Sequence, residues 1–317
     1  MKLKQLTSAA SSMWKRLIET AEQCNSEFWI DLIPATWLFV FFILPLLIVF
    51  KVSFSEAVFG IPPFTEIFDL AKGYVLNIKL NFANYITILQ DSYYITAFIN
   101  SIYLSITATV LCFLIGFPMA YGIHSVSERF RTILLLLVSL SFWTSFLIRV
   151  YSWMSLLSVN GILNSILIKL GVISEPIQFL GTYYAVCTGF VFCYLPFMIF
   201  PVYGVLEKIE QSYIESAYDL GCHPTKTFWT IIVPLAKPGI VTGSILVFSA
   251  TIGEFVIPEL LGSAETVTIG RVIWNEFFCN LDWPMACALS IATMFFVLLP
   301  IYIVQRLFNA DEIKHGS

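Results

Sequence analysis

The chain has little charge. Only 12% of its 317 residues are Asp, Glu, Lys or Arg, against about 25% in an ordinary soluble domain. A water-facing surface of normal size cannot be built from that supply. The net charge of −4 also excludes the strongly basic face that a nucleic-acid partner needs. Chemistry-bearing residues are equally scarce. There are three histidines, at 124, 223 and 315, and they are scattered. The seven cysteines form no Cys-x-x-Cys pair and none stands at ligand spacing from a histidine, so they read as small apolar residues rather than metal or redox groups. The serine nucleophile elbow and the Gly-x-x-x-x-Gly-Lys phosphate loop are both missing. Material for a hydrolytic triad, a metal site or a nucleotide site is therefore lacking, and no bound cofactor is expected. If ATP is used, another chain binds it with its magnesium.

What the sequence does have is apolar length. Hydrophobic residues make up 58% of it. Six runs, near Leu32–Val52, Ala97–Gly122, Thr132–Leu157, Tyr183–Leu206, Gly239–Leu261 and Pro284–Val304, are long enough to cross a hydrocarbon layer about 30 Å thick as helices. Helix is the expected form, because lipid cannot satisfy an open backbone and the alternation of a membrane β-barrel strand is absent. The expected fold is an all-α integral membrane protein with six transmembrane helices, and the lipid bilayer is its first partner.

Lys and Arg set the expected orientation. Six spans place both ends on one side. Eleven basic residues fall on that side: Lys2, Lys4, Lys15, Arg16, Arg129, Arg131, Lys208, Lys226, Lys237, Arg306 and Lys314. The other side has Lys72, Lys79, Lys169 and Arg271, with Lys51 at the border. The excess predicts cytoplasmic termini. The first apolar run starts only at Leu32 and lacks a small-residue cleavage site, so it reads as a retained span. Ahead of it, residues 1–30 form a tail in which Met13, Trp14, Leu17, Ile18 and Ala21 share one helical face over residues 8–27, the pattern of an interfacial helix. Residues 31–308 form the six-span unit, and 309–317 a second cytoplasmic tail.

One polar insert breaks the apolar sequence. "IESAYDLGCHPTKTFWTIIVP" (214–234) lies in the loop 207–238 between the fourth and fifth runs. Ser212 is a candidate N-cap for a short helix ending at Leu220, and Gly221 suits a left-handed C-terminal cap. Pro224 opens a second segment with Phe228, Ile231 and Ile232 on one side, and Pro234 and Pro238 are expected to end it. Two short angled helices, apolar on one side, are shaped to dock in a partner's groove.

Apart from Lys51 at the border of the first run, charge inside the spans is confined to Arg149, Glu254 and Glu259. Each costs about 2.5–3.5 kcal/mol at the membrane centre on insertion scales, so each calls for a purpose. Arg149 and Glu254 fall at similar depth, and either acid is a candidate partner for Arg149. Five residues apart on one helix, the two acids would diverge by about 140°, leaving one of them for a cationic substrate. Pro258 between them suggests a broken helix of the kind that lines transporter sites. Trp143, Tyr151, Trp153 and Trp283 offer ring faces to a cation or, equally, serve as interface and packing residues. Asp282 is either an attractor at the outer mouth or a solvated loop acid.

The insert resembles the "EAA" loop of ABC-importer permease subunits. Glu215-Ser216-Ala217, Gly221, Ile231 and Val233-Pro234 keep that motif's spacing, with Ser216 where the family has Ala and Val233 where it has Leu. "SFWTSFLIRVYSW" (141–153), "NGILN" (160–164), "GEFVIPELLG" (253–262), "IGRVIWNEFF" (269–278) and "DWPMACALS" (282–290) resemble the polyamine branch, and within it the putrescine type. Spermidine permeases share much of this pattern. The resemblance implies the type I importer permease fold, with Glu215, Ser216, Ala217, Gly221, Ile231 and Pro234 as the ATPase-coupling residues. It also implies a second permease subunit, a dimer of cytoplasmic ATPase subunits, a periplasmic polyamine-binding protein and residence in the bacterial inner membrane. A channel or carrier not driven by ATP would not need the loop.

Overall fold

The computed structural model describes residues 32–315, apart from 59, 66–67, 72–74, 79–80 and 264. The predicted helix at 8–27 lies outside the described residues. Nearly all of the rest is helix. α1 is Leu32–Val52, and a small hairpin of β1 (Phe68–Ala71) and β2 (Val75–Ile78) follows. Then come α2 (Ala83–Gln90), α3 (Ser92–Ser125), α4 (Glu128–Trp143), α5 (Phe146–Leu157), α6 (Ile162–Lys169), α7 (Tyr183–Leu206) and α8 (Gln211–Asp219). The chain continues as α9 (Pro224–Ile252), α10 (Val256–Leu261), α11 (Ile269–Trp274, running into a π turn at Asn275–Cys279) and α12 (Trp283–His315). α12 stays helical through His315, so residues 309–315 of the expected C-terminal tail continue that helix.

Among the described residues, six segments are long and apolar enough to cross a membrane: Leu32–Val52, Ser92–Ser125, Phe146–Lys169, Tyr183–Leu206, Pro224–Ile252 and Trp283–Arg306. Two of the expected spans are broken. The run Thr132–Leu157 becomes α4 and α5, because Thr144 and Ser145 turn extended (ψ 142° and 134°) and the Thr144 hydroxyl bonds back to the Ser141 carbonyl. Such local bonds compete with the helix ladder. The run Gly239–Leu261 divides after Ile252, where Gly253 leaves the helix (φ −96°, ψ 4°) and α10 starts at Val256. The two acids therefore do not share one helix, and the angle expected between them does not apply.

The same region corrects a second expectation. Pro234 and Pro238 do not end the helix that Pro224 opens. A π turn at Phe228–Ile232 shifts the hydrogen-bond register just ahead of Pro234. A missing N–H is absorbed most easily at such a register change, and the helix runs on into the membrane-spanning part of α9.

α7 is the axis of the packing, with α3 and α9 against it. Gly116 of α3 and Gly243 of α9 both seat on Met198 of α7, and Gly239 lies on the Pro201 carbonyl. Small residues permit this closeness, which is the main source of attraction between helices in lipid. Cys112, Cys187 and Cys193 are buried free thiols in the same cluster. The remaining helix faces expose Leu, Ile, Val and Phe, as membrane contact requires.

Candidate functional site

The insert forms a rigid corner. α8 ends at Leu220 and Gly221 takes φ +79°. The Cys222 N–H donates to the Ala217 carbonyl at 3.0 Å and the Gly221 N–H to the Tyr218 carbonyl at 2.9 Å. These two bonds make a Schellman cap, which glycine can close without steric cost. Glu210, not Ser212, sits at the N-cap, and the Ser212 hydroxyl bonds the Glu210 carboxylate instead. His223 caps α9, its Nδ1 accepting from the Thr225 N–H at 3.4 Å. Ala217 is buried, whereas Glu215, Ser216 and Pro234 are exposed and Ile231 is half-buried. Leu220 (86% exposed), Trp229 (65%) and Tyr213 (55%) form an apolar outer surface. Phe228 anchors the corner to the bundle against Phe117 and Tyr121 of α3.

The second group of residues surrounds the break between α9 and α10. Glu254 is half-buried there. Its Oε2 accepts from the Tyr194 hydroxyl of α7 at 2.6 Å, and its Oε1 accepts from the Val256 N–H at 2.8 Å. The carboxylate thus holds the first turn of α10. Pro258 falls in the first turn of α10, where no donor is needed. Arg149 pairs with neither acid. Its Nη1 donates to Ser141 Oγ (3.1 Å) and to the Cys193 carbonyl (3.4 Å), and its guanidinium lies 5.8 Å from the Phe146 ring. Arg149 and Glu254 therefore grip neighbouring residues of α7, Cys193 and Tyr194, instead of each other. Glu259 pairs with Arg271 of α11, Nε to Oε2 at 2.5 Å.

The aromatics divide. Trp283 stacks on Phe277 at 5.1 Å and 5°. A further series joins Phe277 to Phe278, Phe278 to Trp274, and Trp274 to Phe255 beside Glu254, the last pair stacked at 4.4 Å and 10°. Trp153 turns to α7, donating from Nε1 to Thr188 and stacking on Phe192. Trp143 (84% exposed) and Tyr151 (50%) face outward. Asp282 caps α12, its Oδ1 accepting from the Met285 N–H at 2.9 Å.

Sequence reasoning missed three contributors. Tyr194 was signalled only as a hydroxyl in mid-span that must find a partner. Glu276, 8% exposed, accepts from the Tyr94 hydroxyl (2.9 Å) and from the Asn280 amide (2.8 Å). It lies outside the six runs, so no count of charges within spans includes it. Gly270 packs its Cα on the carbonyls of Gly253 and Glu254, where a Cβ has no room.

Broken apolar helices, small-residue packing and a projecting helical corner define a nearly all-helical protein of the multi-pass membrane class. Residues 112–312 match the family described as binding-protein-dependent transport system inner membrane component, and the chain belongs to that family. It is 38% identical over 271 residues to the spermidine/putrescine transport system permease protein PotB of Haemophilus influenzae, covering 86% of this chain and 90% of the relative. The PotB protein of Escherichia coli K12 is 36% identical over 278 residues, covering 86% and 95%. Among solved structures, a bacterial ABC transporter that imports alginate aligns at TM-score 0.65 and 19% identity over 92% of this chain and 98% of that one. This likeness places the chain in the type I importer permease fold. The protein is a multi-pass inner-membrane transport component and not an enzyme.

Proposed function

We propose that this chain is the transmembrane permease subunit of an ATP-driven polyamine importer. It forms half of the translocation path together with a second permease subunit. A dimer of cytoplasmic ATPase subunits binds ATP and magnesium and engages the corner formed by α8 and the start of α9. A periplasmic polyamine-binding protein delivers the substrate. The observation that carries the reading is the broken fifth span, where two acids, Glu254 and Glu259, stand before and after Phe255, whose ring stacks on Trp274. Acids beside ring faces suit a chain with an ammonium at each end and an apolar middle. Putrescine is the preferred substrate on the resemblance of the motifs. Spermidine is the second reading, supported by the substrates that the relatives' names give together. The Lys and Arg distribution supports cytoplasmic termini.

The test is ATP hydrolysis by the reconstituted complex, with the binding protein presented empty or loaded with putrescine, spermidine or a dicarboxylate. Polyamine-loaded protein should stimulate turnover and the dicarboxylate should not. Equal stimulation by the dicarboxylate would remove the polyamine reading.

A further inference from the structure

Arg271 has two partners. Its Nε meets the Glu259 carboxylate, and its Nη1 donates to the Ser263 carbonyl at 2.9 Å. Glu259 is the more open of the two, its side chain 47% exposed against 23% for Arg271. A carboxylate this accessible, beside the broken span, is where an incoming ammonium would bind. In the structure a guanidinium from the chain itself already occupies it.

We propose that Arg271 is an internal competitor for the substrate's cation, a specificity-determining residue that must give up Glu259 before an ammonium group can take it. The inference rests on the polyamine reading above. Exchange keeps Glu259 paired while the arriving ammonium adds one positive charge to the site. Before a ligand arrives, the guanidinium supplies the countercharge of the Glu259 carboxylate. When a terminal ammonium arrives, it replaces one charge-assisted pair with another. Arg271 keeps its hydrogen bond to the Ser263 carbonyl but loses its counterion, and that loss is the cost the ligand must offset. A neutral amine or an uncharged solute offers nothing in return and cannot displace it. Selection then depends on what the ligand exchanges as well as on what it touches.

The geometry lets Arg271 move without unseating α11. The helix is held separately by the Phe255–Trp274 stack, by Gly270 on the Gly253 and Glu254 carbonyls, and by the buried side chains of Ile269 and Val272. The ion pair is therefore not what fixes α10 against α11.

The experiment uses the assembled importer without its binding protein and measures direct binding of labelled putrescine in wild type, Arg271→Gln, Glu259→Gln and the double variant. Arg271→Gln should bind about tenfold tighter, the scale of one competing charge contact. Glu259→Gln should bind more weakly than wild type. The double variant should match Glu259→Gln, because a competitor has no effect once the contested group is gone. Weaker or unchanged binding in Arg271→Gln overturns the proposal, and so does the absence of measurable binding in that variant while ATP-driven uptake persists. An equal gain from Arg271→Gln in the Glu259→Gln background overturns it too. A wild-type complex that neither binds nor transports any polyamine defeats the underlying polyamine reading instead, so the two failures are distinguishable.

Discussion

The Tyr194 hydroxyl donates to Glu254 Oε2 at 2.6 Å across 60 residues of sequence, tying the unwound stretch of the fifth span to the most buried helix of the bundle. A hydrogen bond to a charged group contributes about 1.5–3 kcal/mol when its partner has no good alternative. Tyr194→Phe keeps the ring and removes the bond. The complex should still assemble, melt at a lower temperature and transport more slowly. An unchanged melting temperature and an unchanged rate would show that the bond carries no weight.

Arg149 and Glu254 hold different hydrogen-bond partners, so losing one should not be repaired by losing the other. Glu254→Gln should sharply reduce polyamine uptake while the complex still forms. Adding Arg149→Gln should deepen the defect rather than repair it. Restored uptake in the double variant would mean that the two charges serve only each other.

Gly221 sits at φ +79°, where a non-glycine residue costs about 1–2 kcal/mol. Gly221→Val should leave both permeases in the membrane and turn the start of α9 away from α8. Purification of the complex would then recover the permease pair with much less ATPase. Normal recovery and normal hydrolysis would show that this corner is not the coupling element.

Gly270→Ala should be severe for a different reason. Its Cβ would press on two backbone carbonyls, at Gly253 and Glu254, and backbone cannot turn aside as a side chain can. Overpacking of this kind costs about 1–3 kcal/mol or more. Reduced assembly of the permease pair, read by its yield at fixed expression, is the expected result. Wild-type yield would mean that α11 can shift freely.

Much of this was legible from the sequence, for identifiable reasons. The span count follows from apolar length, which lipid enforces strictly. The corner at Gly221 follows from one glycine between two capped segments. The breaks were less visible. Thr144-Ser145 and Gly253 lie inside runs long enough to read as single spans, and hydropathy measures solvent preference, not helix continuity. Pro234 and Pro238 misled in the opposite direction, because a π turn in the preceding residues absorbs them. The pairing of charges was beyond reach. Depth put Arg149 level with Glu254, but partner choice is fixed by side-chain direction around α7, which depth does not encode. Glu259–Arg271 joins two short helices that had been assigned to a span and to a loop.

The central claim is that this chain passes polyamines under the drive of a separate ATPase. Initial uptake of labelled putrescine and spermidine should be measured in proteoliposomes containing both permeases and the ATPase, with ATP inside and the loaded binding protein outside. Accumulation against a gradient is expected, lost when ATP, the binding protein or the second permease is left out. Uptake by this chain alone without ATP, or none of either polyamine in the complete system, would contradict the account.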